Sequence, residues 1–129
     1  MMTPATTLKE FQEYLSLILG CAERDLPAAF QGQRPRVLAV GIFVDLQRAY
    51  PGINRVRLSE WLRHYTTSDI YLKRKVRAEY RNDIDGRNVA RISARSKRAA
   101  ELVLAKRNPE GAPERLKPAA RASEAAHAA

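Results

Sequence analysis

No stretch of this chain keeps one helical period for long before a helix-ending residue interrupts it. Gly20, Pro51, the hydroxyl-rich run Thr66, Thr67 and Ser68, and the pair Asp85 and Gly86 cut the sequence into short segments. A chain punctuated in this way builds neither a long coiled coil nor a membrane span. Packing short elements around one modest core is the solution left to 129 residues. No apolar run reaches the roughly 18 residues that a membrane span requires.

The first segment is a helix with a legible start and stop. Thr7, Leu8, Lys9 and Glu10 fit a capping box, in which each end side chain satisfies the other's free amide. Leu8, Phe11, Leu15, Ile18 and Leu19 recur at helical spacing, and Gly20 supplies the residue that closes the helix. A turn-rich connector follows, with Leu26 and Phe30 as anchors of a short helical turn. Over 37–50 a β-branched start predicts an extended entry and the remainder a helix over about 41–50, stopped by Pro51. Asn54 caps the next helix, on which Val56, Leu58, Trp61, Leu62 and Tyr65 mark a buried face. Thr66, Thr67, Ser68 and Asp69 break that pattern and open another short helix.

From Glu79 the period changes to two. Tyr80, Asn82 and Ile84 share one face, and Arg81 and Asp83 the other. Asp85 and Gly86 predict a two-residue type I′ turn, with 88–92 as the return strand. Ser93 caps a last helix reaching about Arg107, and 108–129, rich in Pro and Ala, reads as a disordered tail. The expected class is therefore α+β but mainly helical, with about five helices and one small antiparallel β-hairpin. Residues 1–33 contribute a helix and connector of the same domain, and 34–107 its core.

The net charge of +9 is distributed unevenly. Residues 1–33 sum to −2 and 108–129 to zero, so 34–107 carry +11. A segment with this balance attracts polyanions, of which nucleic acid is the commonest inside a cell. Cys21 is the only cysteine, so no disulfide framework is expected and a packed thiol is its ordinary reading. The first residues lack the basic and apolar regions of a signal peptide, which makes the cytoplasm the expected compartment. Nothing in the pattern suggests a Gly-rich phosphate loop, zinc spacing or a nucleophile elbow, so neither catalysis, a metal nor a cofactor is expected. His64 has no nucleophile or carboxylate dyad near it in sequence and reads as structural.

Position separates informative cations from ordinary ones. Lys73, Arg74 and Lys75 sit toward the end of a short helix, where positive charge complements the dipole. Arg95, Lys97 and Arg98 occupy the first turns of the last helix, where the dipole disfavours them, so an anionic partner explains them better. The turn at Thr66, Thr67 and Ser68 opens a helix whose free amides form a natural phosphate seat, to which three hydroxyls add donors. The alternative is that Thr67 or Ser68 simply caps that helix.

Three blocks then resemble a known family. RVLAVGIFVDL, LRHYTTSDIYL and YRNDIDG are similar, in that order, to signature blocks of the ProQ/FinO family of bacterial RNA-binding proteins, over about 34–107. The resemblance implies a compact ProQ/FinO-like domain with a basic concave face. It implies binding of stem-loop RNAs with a single-stranded 3′ tail, as at intrinsic terminators. It also implies an RNA chaperone in post-transcriptional regulation, protecting small RNAs or assisting antisense pairing, without an obligate protein partner. Carried over by position, Arg63, Tyr71 and Arg81 match residues tied to RNA binding, and Arg55 a basic position on the same face. Thr66, Thr67 and Ser68 match the helix start that holds the RNA 3′ end. Ala39 and Ser59 replace basic residues of some members, so Arg36, Arg57 and Lys73 are expected to supply that charge. Lys75, Arg77, Arg95 and Arg98 extend the basic face, with Val76 and Arg77 in place of a lysine-proline pair. A single-domain member, without the extra C-terminal domain of longer relatives, is expected.

Two residues keep more than one reading: Tyr71 stacks on a base, donates to phosphate or only packs beneath the turn, and Arg81 meets phosphate or braces Asp83 or Asp69. The competing function is a helix-turn-helix DNA-binding regulator, which 57–75 also resemble. Its recognition helix would place Ile70, Tyr71 and Leu72 centrally, with no Asn, Gln or Arg in the first turn to read bases.

Overall fold

A computed structural model of the chain describes residues 5–111. Most of the expected tail, 112–129, lies outside them; of its start, Pro109–Gly111 form a 3-10 turn. The described residues form five α-helices and one hairpin: α1 Leu8–Leu19, α2 Ile42–Ala49, α3 Arg55–Thr66, α4 Asp69–Arg77, β1 Tyr80–Asn82, β2 Asn88–Arg91 and α5 Ala94–Arg107. The expected class, mainly helical with a small antiparallel hairpin, is what the chain adopts.

Local chemistry sets most boundaries. The Thr7 hydroxyl accepts from the Glu10 amide at 3.2 Å, and the Glu10 carboxylate accepts from the Thr7 amide at 3.1 Å. Gly20 ends α1 in the left-handed region at φ 72°. The Asn54 side chain caps α3 through the Arg57 amide, and the Ser93 hydroxyl caps α5 through the Ser96 amide, both at 3.1 Å.

The core is built on aromatic rings. Phe11 of α1 meets Trp61, His64 and Tyr65 of α3 with centroids 6.1, 5.2 and 5.0 Å away. Trp61 stacks on Tyr65 at 4.9 Å, and Phe30 closes over Trp61 at 5.6 Å. The Trp61 indole donates to the Phe11 carbonyl at 3.0 Å, so the large ring is buried without leaving its N–H unpaired. His64 reaches the Ala5 carbonyl at 3.0 Å, a structural role. Gln12 donates to the carbonyls of Phe30 and Gly32, fastening the connector to α1.

Two local expectations are corrected. Val56 does not belong to the buried face of α3: it is 66% exposed, because α3 is covered by α1 and α2 along the Leu58, Leu62 and Tyr65 side. The hairpin does not close through a two-residue type I′ turn. Type I′ requires Asp85 at positive φ, and only glycines among the described residues adopt one. Instead the Gly86 amide donates to the Asp83 carbonyl and the Asp83 amide to the Arg87 carbonyl, both at 2.9 Å. Gly86 takes the left-handed position at φ 81°, and the Asp83 carboxylate accepts from the amides of Asp85 and Arg87. The result is a wider turn with a bulge.

The hairpin is anchored on its inner edge. The Asn82 amide donates to the Val37 carbonyl at 2.7 Å, and the Ala39 amide to the Asn82 carbonyl at 2.8 Å, which places Leu38 parallel to β1. α5 covers α4, burying mainly Ala100 and Ala105. Arg107 ties its end back to the Thr67 carbonyl and the Asp69 carboxylate, each at 2.7 Å.

Gly86→Ala is expected to destabilise the domain by about 1–2 kcal/mol, from the left-handed backbone alone. The added methyl would also lie 3.2 Å from the Ala28 Cβ. Urea unfolding measures the loss, and an unchanged midpoint would show that the turn relaxes freely.

Candidate nucleic-acid interface

The interface begins with a backbone residue, Leu38. A strand residue in a parallel bridge points its own amide and carbonyl away from its partner, so both groups of Leu38 need another source. The Leu38 amide donates to the Tyr71 hydroxyl at 2.9 Å. Its carbonyl accepts from Arg81 Nη1 at 3.1 Å. Tyr71 from α4 and Arg81 from β1 therefore converge on the backbone of one residue, 43 positions before Arg81 in the chain.

This geometry decides between the alternatives for both residues. Tyr71 is 3% exposed and its ring packs edge-on to Tyr65 at 5.2 Å, so no base stacks on it as it stands. Only its hydroxyl lies beside the Arg81 charge; burial pushes the phenol up, against the opposing pull of the Leu38 amide and Arg81. Tyr65 is pushed up further, by burial and then by Tyr71, and its hydroxyl meets no partner among the described residues. Arg81 braces neither suggested carboxylate. Asp83 is committed to the hairpin turn and Asp69 to Arg107.

Lys75 joins them one turn beyond Tyr71. Burial, and then the neighbouring Arg81 charge, push its ammonium below the ordinary lysine range. The two cations, on α4 and β1, thus disfavour each other's charge. Helix-dipole matching, the ordinary reading of Lys75, does not account for its nearness to a second charge.

The hydroxyl turn is arranged differently from expectation. Thr66 Oγ1 donates to the Leu62 carbonyl at 2.8 Å, Thr67 Oγ1 to the Arg63 carbonyl at 2.7 Å and Ser68 Oγ to the Tyr65 carbonyl at 2.5 Å. All three protons are spent on the last carbonyls of α3; those of Arg63 and Tyr65 also accept the amides of Thr67 and Ser68. None of the three caps α4 through its side chain, and none is a free donor for phosphate. What α4 offers an anion is its first-turn backbone amides, beside the Asp69 carboxylate and Arg107.

The remaining cations divide by face. Arg55 and Arg63 are exposed on α3 and line a depression of about 430 Å³ with Phe43, Val56, Ser59 and Glu60. Arg57 is exposed on the same helix. Arg36 leans on the Gly86 carbonyl at 3.3 Å, on the outer side of the hairpin. Lys73 and Arg77 lie on the side of α4 that looks toward α5, away from Lys75, and share a groove there with Arg34 and Arg74. Arg95 and Arg98 are exposed at the start of α5. Sequence reading passed over Arg34 and set Arg74 aside as dipole-matched; the spacing of Arg74 between Lys73 and Arg77 was the available signal.

No group of three or more His, Cys, Asp and Glu among the described residues could hold a metal ion. No helix there is long and apolar enough to cross a membrane. The helix-turn-helix alternative loses its recognition helix. Tyr71 and Leu72 are buried, and α5 packs along α4, so the middle of that helix is not free to enter a groove of DNA.

The fold is similar to that of a solved protein. The chain is similar to NMB1681 from Neisseria meningitidis MC58, described as a FinO-like RNA chaperone, at 24% identity and a TM-score of 0.57. The similarity covers 74% of this chain and 75% of that one. No curated protein matches. The model of the ProQ/FINO family matches residues 14–117, and the chain belongs to that family of non-catalytic RNA-binding proteins.

Lys75 is expected to lose its proton below the ordinary lysine range in the free protein. Phosphates seated beside it should reverse that shift, because they favour the charged form. NMR titration of the lysine side chains, free and with RNA, follows both. A Lys75 that titrates normally in the free protein would remove the crowding described above.

Proposed function

We propose that this chain is an RNA chaperone of post-transcriptional regulation. Its ligand is a stem-loop with a single-stranded 3′ tail, and it stabilises small RNAs or promotes antisense pairing. The observation that carries the reading is the convergence of Tyr71 and Arg81 on the backbone of Leu38, with Lys75 one turn further along α4. Arg81 is half-buried and meets a carbonyl, while Asp83 and Asp69 are committed elsewhere, so its charge favours an anionic ligand such as a terminal phosphodiester. The exposed arginines of α3, Arg55, Arg57 and Arg63, suit the adjoining stem, since A-form RNA is recognised through its phosphates and shape. The likeness to a FinO-like RNA chaperone supports the same class of ligand.

The Tyr71 hydroxyl and the first-turn amides of α4, rather than the hydroxyls of Thr66, Thr67 and Ser68, are the polar groups available to the RNA 3′ end. Tyr71→Phe therefore separates the readings. It keeps the ring and removes the acceptor of the Leu38 amide, so reduced RNA affinity is expected together with modest loss of stability.

The decisive comparison is made at fixed salt among three ligands: a hairpin with a free 3′ uridine tail, the same hairpin blocked by a 3′ phosphate, and duplex DNA. Preference for the free tail is expected; equal affinity for all three would sink the proposal. Arg63→Ala should weaken hairpin binding and lower the slope of log K against log salt by about one, while leaving the ranking of ligands unchanged.

A further inference from the structure

α4 turns a second cationic stripe toward α5. Ile70, Lys73, Arg74 and Arg77 recur along it at helical spacing, and with Arg34 and Pro35 they line a groove of about 850 Å³. Leu104 and Ala105 of α5 form the facing wall. A further depression of about 440 Å³ shares Arg34, Pro35 and Arg74 with it and adds Arg36, Tyr80 and Asn82. Cations therefore follow one another along a single trough whose floor includes Ile70, Val76 and Leu104. Of the three acids lining it, Asp69 is taken up by Arg107 and Glu79 by Arg91.

Two features separate this trough from the Lys75 face. At 3.6 residues per turn, the stripe through 70, 73, 74 and 77 lies roughly 120° around the helix from the one through 71, 75 and 78. Arg74 also carries an unmet need. Its Nε is buried and finds no acceptor among the described residues, an arrangement that costs stability where it occurs. Fold stability therefore does not account for an arginine at this position.

We propose that the trough holds a second, single-stranded RNA segment. Its phosphates lie along Arg34, Lys73, Arg74 and Arg77, and its bases lie over Ile70, Val76 and Leu104, with Tyr80 available for stacking. Mixed walls of this kind suit unpaired RNA, because base faces meet apolar surface while the backbone meets cations. A duplex would present only phosphates and sugars and leave the floor unused. The inference rests on the RNA-binding reading and extends it to two RNAs at once. A hairpin on one face and a strand on the next is what promotion of pairing requires, since the protein screens the charge of both.

The test titrates a fluorescent oligoribonucleotide, unstructured and not complementary to the hairpin, into protein already saturated with hairpin RNA. Uptake of the strand by the saturated protein is expected. The double variant Arg34→Glu and Arg77→Glu should weaken that uptake about tenfold or more, well beyond its effect on the hairpin. Circular dichroism checks its fold, and exposed Arg34→Glu alone serves if the double variant does not fold. Saturated protein that takes up no strand overturns the inference. So does uptake indifferent to both charge reversals, or displacement by polyglutamate as easily as by unlabelled RNA, which would mark an acidic protein as the occupant. Strand binding that depends on Arg34 and Arg77 in a protein that does not bind the hairpin would keep the groove and remove the hairpin reading instead.

Discussion

The backbone of Leu38 is the joint on which the architecture depends. Its neighbours Val37 and Ala39 bond to Asn82, which holds the hairpin against the domain. Its own amide and carbonyl are closed by a tyrosine from α4 and an arginine from β1. Both groups are buried, and leaving either unmet would cost about 1–3 kcal/mol, so the two side chains are fixed as firmly as ladder partners. Fixing them fixes the interface. Arg81 cannot move away from Lys75 without releasing the Leu38 carbonyl, and the resulting crowding of charge is built into the fold.

The aromatic core holds this joint in place from behind. Phe11, Trp61, Tyr65 and Tyr71 form a continuous chain of ring contacts from α1 through α3 to α4. That chain ends at the hydroxyl which meets Leu38. The same residues thus serve packing and site at once, with hydrophobic burial positioning a polar group that faces cations. Covering α4 with α5 then divides the cations of one short helix between two surfaces, Lys75 toward β1 and Lys73 and Arg77 toward the groove.

Much of this was legible before the fold was known. Capping boxes, helix stops and the change of period at Glu79 depend on residues a few positions apart, and each was found where expected. The misreadings share a cause. Val56 has the right spacing for a buried face, but spacing does not say how wide the covering surface is. Asp85 and Gly86 suit a two-residue turn, but the register of the hairpin is set by Asn82 pairing with Val37 and Ala39 far away in sequence. Thr66, Thr67 and Ser68 precede a helix and also end one. Which end claims their hydroxyls depends on side-chain rotation, and the last-turn carbonyls of α3 claimed them as second donors.

The sequence by itself determined the class of element in each segment, the excess of positive charge over 34–107 and the three blocks that mark the family. Tertiary structure alone decided which cations meet. Tyr71 and Arg81 are brought together by the backbone of a residue more than 30 positions earlier in the chain. Lys73 and Arg77, interleaved with Lys75 in sequence, are turned to another face. The physical reason is that charge along a chain is additive and local. Charge at a site depends on which buried backbone groups must be satisfied and on which side chains can reach them.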